Sequence, residues 1–281
     1  MTVSTICIHL PHRVHIYRYV FKMPATKTSA VADEQEPINV LFALHPKFDL
    51  LDFAGPVEVF STALHDRDDP SSRAFEITLA SSEPQVLSEQ GIIVNSHITF
   101  KEAHDNLEDY DVLVVLGGNM LSLVKTEDQP AGLIVDFSEL QKKEPARERT
   151  LLSVCTGSLL LAKEGILSGL SATTHPDFLT TFENLCSDAA TRNLQERTDI
   201  VEDARYVVNN LRFDLDGEDS SPYIPMRLGG LRVITSGGNS AGIDAALYLV
   251  SAMVDEECAF AVSRMMQWNW TKGVVVDGLD V

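Results

Sequence analysis

The 281-residue chain lacks an excess of basic residues, any long apolar run and any cysteine cluster. It has 22 Lys and Arg residues against 41 Asp and Glu residues, which gives a formal net charge of −19. This acidity argues against nucleic-acid binding, because phosphates are bound by basic surfaces. No apolar run reaches the roughly 18 residues that a membrane-spanning helix needs. We therefore expect a small-molecule substrate, with neither nucleic acid nor a membrane as partner.

The cysteines are too few and too dispersed for a metal site or a disulfide framework. They stand at positions 7, 155, 186 and 258, with no CxxC pair and no Cys/His cluster of metal-ligand spacing. Free thiols in a domain of this size are typical of a reducing compartment, so we expect a cytoplasmic protein. Neither a GxGxxG motif nor a P-loop occurs. We expect no metal and no organic cofactor.

The first 37 residues differ in character from the rest of the chain, and we assign residues 1–37 to a flexible leader. Residues 1–22 contain basic residues but no acid, and residues 23–36 are polar. Three interpretations stay open: a transit peptide, a disordered tail, or a mis-assigned start with Met23 as the true first residue. We favour the last two, since serines are few and no clean amphipathic helix is present.

Regular hydrophobic patterning runs over residues 38–262, which we interpret as one domain. The chain has 44% hydrophobic and 22% charged residues, ordinary values for a globular protein with a sizeable core. A stretch at about 211–230 is rich in Gly, Pro, Ser and acids and breaks the pattern. Most long polar insertions lie on the surface and are not lids, and we interpret this one in that way. Residues 263–281 are predicted to form a C-terminal tail.

Short apolar runs alternate with helical patterns throughout the domain. Strands are predicted at 38–44, 75–81, 111–116, 150–154, 171–174, 205–209 and 232–238, and helices near 54–64, 131–142, 158–167 and 240–254 and after residue 176. Strands that are apolar throughout are buried on both faces, so this alternation predicts an α/β fold with a mostly parallel sheet between layers of helices. The active site of such a fold lies at the carboxyl ends of the strands.

Cys155 stands at the junction of an apolar strand and a helical pattern. A nucleophile on such a turn protrudes from the sheet, as in the G-x-S-x-G elbow of hydrolases. The first amides of the helix favour a thiolate and any anion formed on the substrate. Gly157 lets the helix pack close to the neighbouring strand. A lone cysteine is more often a small buried apolar residue, but this position favours a catalytic nucleophile.

A catalytic thiol needs a group that exchanges its proton. Asp52 follows the first strand, just before the helix predicted to begin near Ala54, and so faces the same edge of the sheet as Cys155. A desolvated carboxyl group there would stay protonated and shuttle a proton to sulfur. As an alternative of nearly equal weight, Asp52 is an ordinary helix N-cap. We expect Asp49 and Glu58, two further candidates, to be solvated.

His175 is the contested candidate for a partner of the thiol. A Cys–His pair would suit acyl or aldehyde chemistry, but a histidine that only hydrogen-bonds a helix start explains the pattern equally well. Gly117 and Gly118 end a strand, where a backbone N–H would face a developing negative charge or simply form a turn. The Gly pair at 237–238 is weak evidence for a phosphate cradle.

Five motifs, taken together and in order, resemble the DJ-1/PfpI superfamily. They are F-D-x-x-D-x-A-G-P-x-E-V-F (48–60), G-G (117–118), S-V-C-T-G-S-L-L-L-A (153–162), G-x-L-S-G-x-x-A-T-T-H (165–175) and I-T-S-G-G-x-S-A-G-I-D-A-A-L (234–247). The resemblance implies a flavodoxin-like three-layer α/β/α sandwich with a nucleophile elbow, and a homodimer. Within the superfamily, the C-T-G elbow and the L-D-x-x-G-P segment look most like the isonitrile hydratase branch.

Members of that branch add water to an isonitrile and give an N-substituted formamide. The resemblance implies that Cys155 attacks the isonitrile carbon and that Asp52 moves protons and orients water. The amides of Thr156 and Gly118, next to Gly117, would line the anion site. The resulting thioimidate would then be hydrolysed to the formamide and the free thiol.

Two positions depart from the pattern of the branch. Leu116 precedes the Gly pair, where the family usually has proline, and Pro176 follows His175, where the hydratases commonly have tryptophan. The sequence T-T-H-P is instead the form seen in DJ-1-like proteins. Two alternatives therefore stay open. One is a glyoxalase-like or deglycating enzyme for small aldehydes, which needs His175 close to Cys155. The other is a non-catalytic redox or stress sensor with a reactive thiolate.

Overall fold

The computed structural model describes residues 9–10, 13–14, 35–120, 124, 130–144, 146–210 and 230–276. The chain divides into two compact units, with the boundary after Glu34. Within the first unit, β1 (His9–Leu10) and β2 (Arg13–Val14) pair in antiparallel fashion. The remaining residues of the leader before Gln35, and residues 211–229 of the predicted insertion, lie outside the described residues.

The second unit contains an eight-stranded sheet. Its strands are β3 (Ile38–Ala43), β4 (Phe75–Ser81), β7 (Ile98–Thr99), β8 (Val112–Val115), β9 (Arg149–Ser153), β12 (Tyr206–Asn209), β13 (Leu231–Ser236) and β14 (Val274–Val276). Their spatial order is β14-β12-β13-β9-β8-β3-β4-β7, and only the β12–β13 pair is antiparallel. Two small pairs complete the described strands: antiparallel β5 (Gln85–Leu87) with β6 (Ile93–Asn95), and parallel β10 (Ser171–Ala172) with β11 (Asp199–Ile200).

Helices cover both faces of this sheet. The described helices are α1 (Leu50–Thr62), α2 (Phe100–Asp105), α3 (Ala131–Lys143), α4 (Ser158–Lys163), α5 (Leu179–Asn193), α6 (Ala241–Met253) and α7 (Glu256–Met265). Alternate side chains of β3 point to opposite faces. Val40 and Phe42 join the core under α1, α6 and α7, whereas Leu41 and Ala43 join the core under α2 to α5. The predicted flavodoxin-like α/β/α sandwich with a mostly parallel sheet is confirmed.

Two local features differ from the sequence-based expectation. Helix α1 begins at Leu50 and not near Ala54, because the side chain of Asp49 caps it by accepting a hydrogen bond from the amide of Leu51 at 2.9 Å. Strand β14 lies within residues 263–281, which we assigned to a tail, and pairs with β12. Valine favours strands, but a run of three residues is shorter than the strands of 4–8 residues that a sequence pattern identifies.

The residues on both sides of the predicted insertion lie at the opposite end of the strands from Cys155. Asn209, at the end of β12, pairs with Val233, and Leu231 pairs with Arg149 at the start of β9. The chain therefore leaves and re-enters the sheet at the amino ends of the parallel strands. Cys155 follows the carboxyl end of β9, at the opposite edge.

Candidate active site

The backbone of Cys155 has the geometry of the predicted nucleophile elbow. The residue opens a short 3-10 turn (Cys155–Gly157) between β9 and α4 and has a φ of 59°. Non-glycine residues rarely adopt this region, and such strain clusters at functional sites. A methyl group on Gly157 would lie 2.5 Å from the carbonyl oxygen of Val115 in β8. As predicted, glycine at this position allows the turn to pack against the neighbouring strand.

Two hydroxyl groups hold the strained peptide of Cys155 in place. The oxygens of Ser158 and Thr174 lie 3.1 Å and 3.3 Å from the Cys155 carbonyl oxygen, and 2.8 Å from each other. All three residues are buried. Neither hydroxyl was predicted as a site residue, although Ser158 follows the C-T-G elbow and Thr174 belongs to the A-T-T-H motif.

Asp52 is fully buried in the first turn of α1, directly beside the elbow. Its Oδ2 accepts a hydrogen bond from the amide of Gly117 at 3.1 Å. Because Asp49 is the N-cap of this helix, the alternative role of Asp52 as an N-cap is wrong. Oδ1 of Asp52 is also buried, and it makes no hydrogen bond of normal geometry to the described residues. One carboxyl oxygen is thus anchored, and the other remains available for proton transfer.

Burial keeps both the Asp52 carboxyl group and the Cys155 thiol uncharged at neutral pH. Desolvation, aided by the nearby charge of Asp49, raises the pKa of Asp52 to about 8, against the smaller opposing effects of the Gly117 amide and the Cys155 thiol. Desolvation, followed by the charge of Asp52, raises the pKa of Cys155 to about 12, although hydrogen bonds from Thr156 oppose this shift. The predicted thiolate stabilisation at the helix start is therefore outweighed by burial. Helix α4 also begins only at Ser158, after the 3-10 turn.

The amides predicted to line an anion site are already engaged within the protein. The N–H of Gly118 donates to Oγ1 of Thr156 at 3.0 Å, and the same hydroxyl donates to the Gly118 carbonyl oxygen at 3.2 Å. The N–H of Gly117 donates to Asp52, and the amide of Thr156 bonds the Cys155 sulfur. The structure brings the predicted residues together, but as a closed network in which Gly118 offers no free N–H.

His175 serves as a helix cap. Its Nδ1 accepts a hydrogen bond from the amide of Asp177 at 3.2 Å, at the start of a 3-10 turn (Pro176–Phe178). A methyl group on Gly238 would lie 3.0 Å from the imidazole Cδ2, so the ring packs on that turn. Within the described part of the chain, no hydrogen bond or ion pair joins His175 to Cys155.

The second Gly pair forms a closed turn. The amide of Gly237 donates to the carbonyl oxygen of Arg205 at 3.0 Å, so this turn has no free N–H there for a phosphate. Across the described ranges, no group of three or more His, Cys, Asp or Glu side chains is arranged to hold a metal ion. Nor does any described helix have the length and hydropathy to cross a bilayer.

Comparison with known proteins identifies relatives of this chain and of its fold. The model of the DJ-1/PfpI family matches residues 38–210. An isonitrile hydratase of Pseudomonas putida is 25% identical over 232 residues, which are 82% of this chain and 78% of the hydratase. A ThiJ/PfpI family protein from Pseudomonas syringae has a TM-score of 0.57 at 20% identity, over 89% of this chain and 84% of its own. DJ-1 of Schizosaccharomyces pombe has a TM-score of 0.55 at 16% identity, over 83% and 100%.

Proposed function

Because the chain belongs to the DJ-1/PfpI family, we propose that it is a cysteine-dependent hydro-lyase that adds water to an isonitrile. The observation that carries this proposal is the buried pair of uncharged acid and thiol. Asp52 and Cys155 both lie against Gly117, and both have a raised pKa. The distant likeness to an isonitrile hydratase supports the same reaction class.

An uncharged pair suits the chemistry of an isonitrile. The terminal carbon of R–N≡C must receive both a nucleophile and a proton, so a protonated carboxyl group beside a thiol supplies both reactants. Addition to an aldehyde or an acyl group instead creates an oxyanion, which needs free N–H donors. The amides of Gly117 and Gly118 are both engaged. This arrangement favours isonitrile hydration over the glyoxalase-like alternative.

In the proposed first step, the sulfur of Cys155 bonds to the isonitrile carbon while Asp52 gives that carbon its proton. The thiol proton passes to the Asp52 carboxylate, and the product is the thioimidate R–N=CH–S–Cys155. Water then adds to the same carbon; Asp52 protonates the nitrogen and takes a proton from the water. In the last step Asp52 protonates the sulfur and takes the hydroxyl proton. The C–S bond breaks, and R–NH–CHO leaves with no net redox change.

The test is an assay of the purified protein with cyclohexyl isocyanide and, in parallel, with methylglyoxal. We expect formamide production by the wild type and by His175→Ala. We expect Cys155→Ala to be inactive and Asp52→Asn to lose roughly 10²- to 10⁴-fold in rate. Cys186→Ala is the matched control, because Cys186 is also a buried thiol but lies in α5. Turnover of methylglyoxal alone, abolished by His175→Ala, would refute the proposal and favour the aldehyde enzyme.

A further inference from the structure

His45 is a buried histidine beneath the candidate site. It follows β3, and its side chain is 1% exposed. Nε2 lies 3.2 Å from the carbonyl oxygen of Leu116, and Nδ1 lies 3.0 Å from the carbonyl oxygen of Pro46. Nothing in the sequence pattern singled out this residue, because its partner Leu116 is 71 positions away.

The carbonyl group that His45 contacts belongs to the same peptide unit as the amide that binds Asp52. The C=O of Leu116 and the N–H of Gly117 are the two ends of one planar peptide. His45 holds the first end, and Oδ2 of Asp52 accepts from the second at 3.1 Å. A hydrogen bond to a peptide carbonyl polarises the peptide and makes its N–H a stronger donor. A chain of hydrogen bonds thus runs from His45 through this peptide to Asp52, beside Cys155.

The ring of His45 faces the backbone carbonyl groups of Pro46, Leu116 and Gly117. The Gly117 carbonyl already accepts from the amide of Asp49 at 3.0 Å, so the protonation pattern of the ring follows from the burial of the other two. Burial lowers the pKa of His45, so the ring is neutral at neutral pH and donates from one nitrogen only. Leu116 is fully buried, and its carbonyl group needs a donor from the protein. Pro46 is an exposed residue, and its contact with Nδ1 is only partly buried, whereas the contact of Nε2 with Leu116 is buried. The proton therefore belongs on Nε2.

We infer that His45 is a positioning residue, which donates from Nε2–H to the Leu116 carbonyl and so orients and strengthens the Gly117 amide that holds Asp52. The inference rests on the assignment of Asp52 and Cys155 as the reacting pair, and it does not depend on the identity of the substrate. The hydrogen bond from His45 should therefore influence the pKa of Asp52. The Gly117 hydrogen bond favours the carboxylate, so a weaker Gly117 donor leaves Asp52 protonated to a higher pH.

The test measures the titration of Asp52 directly, by NMR of protein labelled with ¹³C at the aspartate carboxyl groups. The Asp52 signal is assigned by its loss in Asp52→Asn. His45→Phe keeps the ring volume and removes the donor, and we expect the Asp52 pKa to rise by roughly 0.1–0.7 pH unit, from a weakening of 10–30% in one charged hydrogen bond. His45→Gln, which retains an N–H donor, should return the value toward that of the wild type. Leu44→Val, a buried neighbour in the apolar core, should lower stability without moving this pKa.

A second measurement needs no variant and so does not depend on the folding of His45→Phe. The ¹⁵N shifts of the wild-type imidazole report which nitrogen carries the proton, and we expect the Nε2–H tautomer. An Nδ1–H tautomer, or an Asp52 pKa that is equal in the wild type, His45→Phe and His45→Gln, would overturn the inference. Absence of isonitrile turnover, with the NMR results as expected, would instead count against the proposed function alone.

Discussion

Asp52 accepts its hydrogen bond from Gly117, a residue with no room for a side chain. A methyl group on Gly117 would lie 2.7 Å from Oδ2 of Asp52, and 2.8 Å from both Cβ of Cys155 and the amide nitrogen of Thr156. These distances are shorter than normal van der Waals contacts. The spacing between acid and thiol thus depends on the absence of one carbon atom.

We predict that Gly117→Ala lowers kcat/KM by about 100-fold, because the carboxyl group or the elbow must shift, and a misplacement of about 1 Å is enough for such a loss. The check is steady-state kinetics together with circular dichroism, which should show an intact fold. Gly132→Ala is the control, since Gly132 is an exposed position within α3 where alanine is well tolerated. Full activity in Gly117→Ala would show that the packing around Asp52 is unimportant for the reaction.

The residues that meet at the site were predictable from the sequence, because the order and direction of the strands determine which strand ends lie together. Strands that are apolar throughout indicated a parallel sheet, and the carboxyl ends of β3, β8 and β9 necessarily lie at one edge. Asp52 comes after β3, Gly117 after β8 and Cys155 after β9. The strand order therefore brings the three residues to the same edge of the sheet.

The hydrogen bonds within the site were beyond such reasoning. The Gly117–Asp52 and Gly118–Thr156 bonds join residues 65 and 38 positions apart, and their geometry depends on side-chain rotamers. For the same reason, the sequence did not show that Asp49 caps α1. Asp49 and Asp52 both suit the start of a helix, and only the observed first turn shows that Asp49 caps while Asp52 is buried.

Asp52→Asn should make the protein more stable. In the folded protein Asp52 keeps its proton up to a pH of about 8, whereas its unperturbed pKa is 3.8. Between these values the folded state binds one more proton than the unfolded chain, so the free energy of unfolding of the wild type falls as pH rises. Asparagine does not titrate. The stability difference should therefore grow from pH 4 to pH 8, to the order of a few kcal/mol, and stay constant above that range.

Chemical denaturation of wild type and variant across pH 4 to 9 measures this difference. Glu58→Gln provides the control within the same helix, because Glu58 is exposed and the substitution leaves the buried carboxyl group of Asp52 in place. A constant difference between wild type and Asp52→Asn would mean that the folded-state pKa of Asp52 is ordinary.

Cys155 should react slowly with alkylating reagents at neutral pH. Its pKa is raised to about 12, so the reactive thiolate is a small fraction, and iodoacetamide should modify it on the order of 10³-fold more slowly than an ordinary free thiol. In Asp52→Asn the neighbouring charge is gone, and the rate at pH 9 should rise by about tenfold, equivalent to one pKa unit. Mass spectrometry of peptides separates Cys155 from Cys186 and Cys258. Rapid alkylation of wild-type Cys155 at pH 7 would support the redox-sensor alternative instead.

Asp244 should be the anchor of the segment that follows α7. It is fully buried, and its carboxylate accepts hydrogen bonds from Nε of Arg205 at 2.7 Å, Nε1 of Trp268 at 2.8 Å and the amide of Thr271 at 3.0 Å. Asp244→Asn keeps the size of the side chain but removes the charge that pairs with Arg205. Breaking a buried ion pair costs about 3–5 kcal/mol. Because the Arg205 side chain is 34% exposed, we expect a loss near the lower end of that range.

We therefore expect a strong fall in the free energy of unfolding of Asp244→Asn, and faster amide hydrogen exchange in residues 268–276, which include β14. Glu256→Gln is the control: it also removes a carboxylate that pairs with this segment, through Lys272 at 3.5 Å, but that pair is exposed and should contribute less than about 1 kcal/mol. Equal effects of the two substitutions would show that the burial of Asp244 adds nothing to its interactions. Unchanged exchange in residues 268–276 would show that β14 is held by its pairing with β12 alone.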